Sequence, residues 1–395
     1  MPTGDTEWIP WNRRPVDGAG STSRMTRRSF AAAVLLAGAG CARTARKAPA
    51  ADHAQAVRLT LQRAAEYLWS RQSRDGGWRS QSYGLLASGQ SLTPFVLDAL
   101  LALPEVAGEG VEKALEFCAR RIDSTGALGR AEPGLPDYPN YATALAVLSL
   151  AHAKPASWQT TAAPLVDYLR GQQLTERNGW TRDHPAYGAW GMGGEPRQSP
   201  YPGHVDLSMT RHVLQALRAA GVPGGDPCFR KAQVFVERCQ NYAAGESIGD
   251  GGFFFSTVVL DANKAGSTQD GFRSYGTATA DGILSLLECG RTGEDPRIIA
   301  AREWMAEHHC SDGAAGFEAD ERQRWREGLR YYHAASASEA YSRLNAKPDS
   351  QLAAELVGLQ REDGSWANPE KLVKEDDPLI ATAFAVRALA AAGFA

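Results

Sequence analysis

The sequence predicts an all-α protein, a single (α/α)6 toroid of six outer–inner helix pairs spanning residues 52–395. Three observations predict it. A turn built on glycine and a following aromatic or leucine recurs at Gln72–Trp78, Asp123–Leu128, Gln173–Trp180, Asp250–Phe253, Gly316–Phe317 and Gln360–Trp366. Each copy follows an amphipathic helical stretch and precedes a second helix rich in Ala, Leu and Thr. Self-similarity at this spacing is the mark of a repeat architecture, and six pairs can close on themselves.

The first helix of each pair shows one apolar stripe. Val57, Leu61, Ala64, Ala65 and Leu68 fall at helical spacing. Stretches near 110–122, 160–173, 227–241, 296–309 and 349–361 repeat that pattern. The second helices are Leu92–Leu103, Tyr138–Ala151, Leu207–Ala220, Tyr275–Glu288, Tyr331–Leu344 and Leu379–Ala392. They are small and apolar on most sides, as helices enclosed by others are. In the turns, glycine permits a left-handed residue after a helix ends, and the aromatic drops back against the helices. Two concentric layers follow. The rival arrangement is an open superhelical solenoid, which would carry polar capping repeats; neither terminal repeat reads as one.

The first 51 residues are expected to lie outside the fold. Thr26, Arg27, Arg28, Ser29 and Phe30 read as a twin-arginine export signal. The apolar run Ala31–Leu36 is too short to span a bilayer. Small residues precede Cys41 as at a lipoprotein cleavage site, although Gly38 stands where an aliphatic is usual, so cleavage without lipid is the alternative. The expected plan is an over-extended start at 1–24, a signal at 25–41 and a tether at 42–51. The mature chain would be periplasmic, or anchored to the membrane through lipidated Cys41.

Composition narrows the function. Hydrophobic residues make up 43% and charged residues 22%, as in a folded chain with a large core. A net charge of -3 gives no basic face for a nucleic-acid partner. Of six cysteines, Cys118, Cys228, Cys239, Cys289 and Cys310 fall in helical stretches without a CxxC pair, and read as small buried apolar groups.

The glycine–aromatic turns resemble the QW-type repeats of the prenyltransferase and squalene-cyclase superfamily over about residues 54–393. Gly251–Phe253, Arg273–Gly276, Tyr331–His333 and Asp376–Leu379 are similar to the single-barrel squalene-cyclase-like proteins of bacteria. The resemblance implies a toroid with a central apolar cavity and a hydrophobic, isoprenoid-like small molecule or lipid as ligand. It also exposes what the chain lacks. Hopene-type cyclases protonate an alkene with the acid of a DxDD motif, and the nearest run here is Lys374–Asp377. Asp377 precedes Pro378 and suits a helix N-cap, with a catalytic acid as the other reading. Tyr332–His333 resembles the zinc-ligand region of prenyltransferase β subunits, but Arg273 and Tyr275 stand where Asp and Cys would be needed. His308–Asp312 is a second candidate, whose neighbouring side chains diverge on a helix. No metal and no cofactor is therefore expected.

The order outer helix, turn, inner helix places all six inner N-termini at one mouth. Candidate catalytic groups there are Asp376, Asp377 and His333; candidate ligand-binding groups are Asp137, Tyr138, His204, Asp206, Arg273, Tyr275, Tyr331 and Tyr332, with Thr93 and Tyr141 beside them. Helix N-termini favour anions, and Arg273 would add to that. The long segment Thr181–Gly203, with Tyr187, Trp190 and Tyr201, reads either as a lid or as a surface loop. Three functions stay open: an exported isoprenoid-binding toroid with cyclase- or isomerase-type chemistry, a non-catalytic ligand-binding or scaffold lipoprotein, and a polysaccharide lyase or glycosidase using Arg273 with His333 or Tyr332.

Overall fold

The computed structural model describes residues 50–104, 106–131, 137–242, 248–318 and 322–394. The export signal, Cys41 and most of the tether lie outside the described residues. The outer helices are α1 (Ala50–Ser70), α3 (Glu109–Ala119), α5 (Trp158–Gln172), α7 (Pro227–Arg238), α9 (Pro296–Glu307) and α12 (Ser350–Leu359). The inner helices are α2 (Leu92–Leu101), α4 (Pro139–Ala153), α6 (Leu207–Ala219), α8 (Gly276–Glu288), α11 (Arg330–Arg343) and α13 (Pro378–Leu389). A short α10 (Gln323–Gly328) precedes α11, and two paired strands of two residues each, Ser267–Thr268 and Gly271–Phe272, precede α8. Each inner helix packs on the next, and α13 packs on α2, so the inner ring closes. Among the described residues, no helix is long and apolar enough to cross a membrane.

Three residue types make the repeat work. The first is a glutamine at the end of an outer helix. Gln72, Gln173, Gln240 and Gln360 each donate from Nε2 to the carbonyl of the turn glycine and to a carbonyl of the next outer helix. For Gln360 the latter is Thr60 O at 2.9 Å, so the sixth repeat is tied to the first by the same bond that links its predecessors. The second is the glycine itself. Gly76, Gly126, Gly188 and Gly364 have φ between +85° and +89°, and a Cβ on any of them would stand 1.9–2.4 Å from a carbonyl oxygen of the next outer helix.

The third is a threonine on the inner helix. The N–H of Trp78, Leu128, Trp190, Phe253 and Trp366 donates to the hydroxyl of Thr93, Thr143, Thr210, Thr279 and Thr382 respectively, at 3.0–3.3 Å. The three tryptophans also donate from Nε1 to the carbonyls of Leu68, Leu169 and Leu356 on their own outer helices. All three are fully buried. Each turn is therefore pinned to both helices it joins and to the next repeat.

This pattern corrects two elements of the sequence reading. In the third repeat the staple is Trp190, not Trp180, and the turn glycine is Gly188. The extra residues 174–187 lie inside the turn. Tyr187 and Trp190 are buried, so they do not belong to a lid; Tyr201 is exposed. In the fifth repeat Gly316 packs on Ser274 and Tyr275 instead of the next outer helix, and Phe317 lies against the Tyr275 ring.

Candidate functional site

The mouth is organised by residues 374–377. Lys374 adopts φ +65°, a conformation that a side-chain-bearing residue holds only when its surroundings enforce it. Its ammonium lies 5.5 Å from the centre of the Tyr83 ring and 5.6 Å from that of Tyr138, and donates to the Tyr138 hydroxyl at 3.1 Å. Tyr138 is itself left-handed, at φ +45°. Asp376 accepts from the Tyr83 hydroxyl at 2.5 Å. Asp377 is buried, accepts from the N–H of Leu379 at 2.9 Å to cap α13, and also accepts from the Ser80 hydroxyl. Glu375 is fully buried, and it accepts from the backbone N–H groups of Tyr331 at 3.1 Å and Tyr332 at 2.8 Å, and from Asn368. Burial pushes its carboxyl up to about 7. The run that sits nearest to a cyclase acid motif thus ties four repeats together.

Phe95, Tyr141 and Tyr332 from the first turns of their inner helices, with Phe384 from the second turn of α13, form an aromatic floor. Phe384 contacts Phe95 edge-on at 4.9 Å and stacks on Tyr332 at 5.1 Å. The Tyr332 hydroxyl lies within hydrogen-bond reach of Ser208 and donates to Asp281 at 2.6 Å; Tyr141 reaches Ser208 at 3.1 Å. Tyr141, Tyr332 and Phe384 are each partly exposed. Asp281 below them is buried, and burial raises its carboxyl to about 6 despite nearby Arg211. Lys264 holds its ammonium 3.4 Å from the centre of the Phe255 ring and 5.6 Å from that of Trp325. Burial pushes it down to about 8. Among the described residues, neither Lys264 nor Lys374 has a carboxylate within ion-pair distance.

The other expected site residues divide. Asp206 caps α6 through Met209 and pairs with His204 at 3.1 Å. Asp137 accepts from Ser88 and Ser91, leaving one oxygen without a partner. Arg273 pairs with Glu318 at 2.9 Å on the surface. Tyr275 and Tyr331 are buried packing residues. His333 turns away from the axis into a water-sized cavity lined by Trp304, His309, Tyr341 and Asp349; burial holds it neutral, at about 4. Along the axis below the floor, charged side chains replace the apolar cavity that the resemblance implied: Arg211 pairs with Glu339, and Arg387 with Asp98.

Sequence reasoning missed Lys264, Lys374, Glu375 and Asp281. The signal for Asp281 was present, as the one charged residue in the run 276–287.

No protein-family model and no curated protein matches the chain. Solved structures do. A variant of the type II terpene cyclase MstE from Scytonema, in complex with its substrate geranylgeranyl dihydroxybenzoate, matches with a TM-score of 0.57 at 14% identity, covering 88% of this chain and 100% of that one. A protein from Actinoplanes gives 0.55 at 20% identity, over 87% and 100%. A D-mannose isomerase gives 0.54 at 14% identity, over 86% and 98%. The chain has an α/α-toroid fold, as the type II terpene cyclase MstE does. These identities carry the fold alone.

Proposed function

We propose that this chain is an exported toroid, tethered through Cys41, whose mouth binds an amphiphile with an apolar, isoprenoid-like body and an anionic head. One observation carries the reading: Lys264 and Lys374 hold their ammonium groups against aromatic rings without carboxylate partners, and Tyr141, Tyr332 and Phe384 of the inner helices are partly exposed. Aromatic faces suit an apolar chain and also favour developing positive charge. The inner helix N-termini add to the attraction for an anion. The geranylgeranyl substrate bound by the Scytonema cyclase has such an apolar body. Asp281, linked to the floor through the Tyr332 hydroxyl, is the group positioned to move a proton to or from this ligand. Asp377 is committed to capping α13, and His333 faces elsewhere.

The test compares geranylgeranoic acid with geranylgeraniol, by calorimetric titration of the purified chain. The acid should bind more tightly than the alcohol. Lys264→Met and Lys374→Met should each weaken the acid about tenfold, the loss of one charged contact, while leaving the alcohol unchanged. No binding of either lipid would overturn the reading.

A further inference from the structure

Lys264 lies in the segment between the Phe253 turn and α8, and one neighbouring side chain fixes its position. Asn263 Oδ1 accepts from the N–H groups of Phe255 at 2.8 Å and Ser256 at 3.0 Å. Asn263 Nδ2 donates to the carbonyls of Ser256 at 2.9 Å and Leu260 at 3.1 Å. This clamp folds the segment back on itself, with the Lys264 ammonium 3.4 Å from the centre of the Phe255 ring. The ammonium also donates to the Ala262 carbonyl, at 3.5 Å, the weak end of hydrogen bonding. Packing alone does not call for an amine here. A methionine would cover the ring as well, without giving up hydration for no counter-ion.

Burial lowers the amine to about 8, against the pull of Asp206 and Asp281. At pH 7 about a tenth of such a group is neutral, against under about a thousandth of an ordinary lysine. The neutral amine is the form that attacks a carbonyl.

A second pair of residues meets the same ring. His204 packs edge-on against Phe255, with ring centres 6.1 Å apart, and its Nε2 lies 3.1 Å from Asp206 Oδ2. The Phe255 carbonyl accepts from the Leu207 N–H at 2.9 Å, and the Ser256 hydroxyl donates to the Val205 carbonyl at 2.6 Å. The lysine segment is thus bonded to the stretch that carries His204 and Asp206. An imidazole oriented by a carboxylate, set near an amine, suits chemistry in which protons move on and off nitrogen and oxygen. Lys264, Phe255, His204 and Trp325 are all partly exposed, so a ligand reaches them from solvent without an enclosed cavity.

We propose that Lys264 captures an apolar aldehyde as an imine. The nitrogen lone pair bonds to the carbonyl carbon, and the carbonyl π pair moves to oxygen, which gains a proton as the nitrogen loses one. The C–O bond then breaks, the oxygen leaves as water with the second nitrogen proton, and the C=N bond forms. His204 is the group placed to carry those protons. No oxidant or reductant is involved. The rings of Phe255 and Trp325 beside the amine set the class, since they suit an apolar body better than a polar one. The proposal stands apart from the anionic amphiphile, because it uses the neutral amine.

The experiment incubates the purified chain at pH 8 with citronellal or with glyceraldehyde, reduces any imine with cyanoborohydride, and reads the modified lysines by mass spectrometry of the digest. Lys113 and Lys231, which pair with Glu109 and Glu176, serve as internal controls. Citronellal should modify Lys264 at least tenfold faster than either control, and glyceraldehyde should show a smaller preference. His204→Asn should slow modification of Lys264 at least fivefold, with the controls and the melting temperature unchanged. Lys264 labelled no faster than the controls, an equal preference with both aldehydes, or indifference to His204→Asn would overturn the proposal. Failure of geranylgeranoic acid to bind would leave these outcomes untouched, which keeps the two readings separate.

Discussion

Glu375 of the sixth repeat accepts the backbone N–H of Tyr332, 2.8 Å away in the fifth, so a buried carboxylate from one repeat caps the inner helix of another. Its second oxygen takes the N–H of Tyr331 and the Asn368 amide. Glu375→Gln would turn an amide N–H₂ toward one of those donors. A loss of about 1–3 kcal/mol at pH 8 is expected, from a buried donor left unpaired, and urea denaturation will measure it. The pH response should change as well. The folded-state value of about 7 lies above the ordinary 4.5, so the folded chain binds this proton more tightly than the unfolded chain. The contribution of Glu375 to stability therefore rises as pH falls from about 7 toward 4.5, and is smallest above 7. The difference between wild type and Glu375→Gln, measured at pH 5.5 and at pH 8, isolates this term from Asp281, whose raised value acts in the same direction.

The register of the third repeat can be checked with two alanines. At Gly188 an added Cβ would meet the Lys231 carbonyl oxygen at 1.9 Å, with φ at +88°. At Gly179 φ is +82°, but the nearest atom would be 3.7 Å away. Both substitutions bear the strain of a left-handed residue, about 1 kcal/mol. Only Gly188→Ala must also push the turn off α7. It should fail to accumulate as folded protein, or melt far below Gly179→Ala. Equal melting temperatures would restore Trp180 as the staple.

That case shows where the sequence was legible. Helix count, pairing and closure followed from apolar spacing and glycine, which are local and periodic. Trp190 was misplaced because Gln173 bonds to a glycine fifteen residues on, whereas Gln72 and Gln360 bond to glycines four residues on. A second Gly-Trp at Gly179–Trp180 supplied a decoy at nearly the expected distance. The axial network was harder to see for another reason. Asp98 and Arg387 are each the lone charge on their helices, Glu339 shares α11 with Arg330 and Arg343, and one helix alone does not say which side faces the axis. Asp377 was the easier case: an acid before Pro378 reads as a cap, and it caps.

Asp377 and Asp281 make opposite predictions for a shared substitution. Asp377→Asn keeps an oxygen that can accept the Leu379 N–H, so ligand binding and any turnover should persist; Asp377→Ala should lower stability by roughly 1 kcal/mol through loss of the cap. Asp281→Asn removes the carboxylate that receives the Tyr332 hydroxyl proton. If incubation of wild type with geranylgeranoic acid yields an isomerised or cyclised product by mass spectrometry, Asp281→Asn should reduce it by at least a hundredfold. Asp377→Asn should leave it within a factor of three.

Lys264 gives the mouth a pH limit of its own. Burial lowers its ammonium to about 8, while Asp206 and Asp281 act against that shift. Below about 8 the amine carries charge and attracts an anionic head; above it the amine becomes neutral and the attraction fades. Geranylgeranoic acid is ionised at both pH 7 and pH 9, so the ligand's own titration does not intrude. Its affinity should therefore fall severalfold between those values, while that of geranylgeraniol stays flat. Lys264→Met should abolish the difference. A pH dependence that survives Lys264→Met would place the titrating group elsewhere in the mouth.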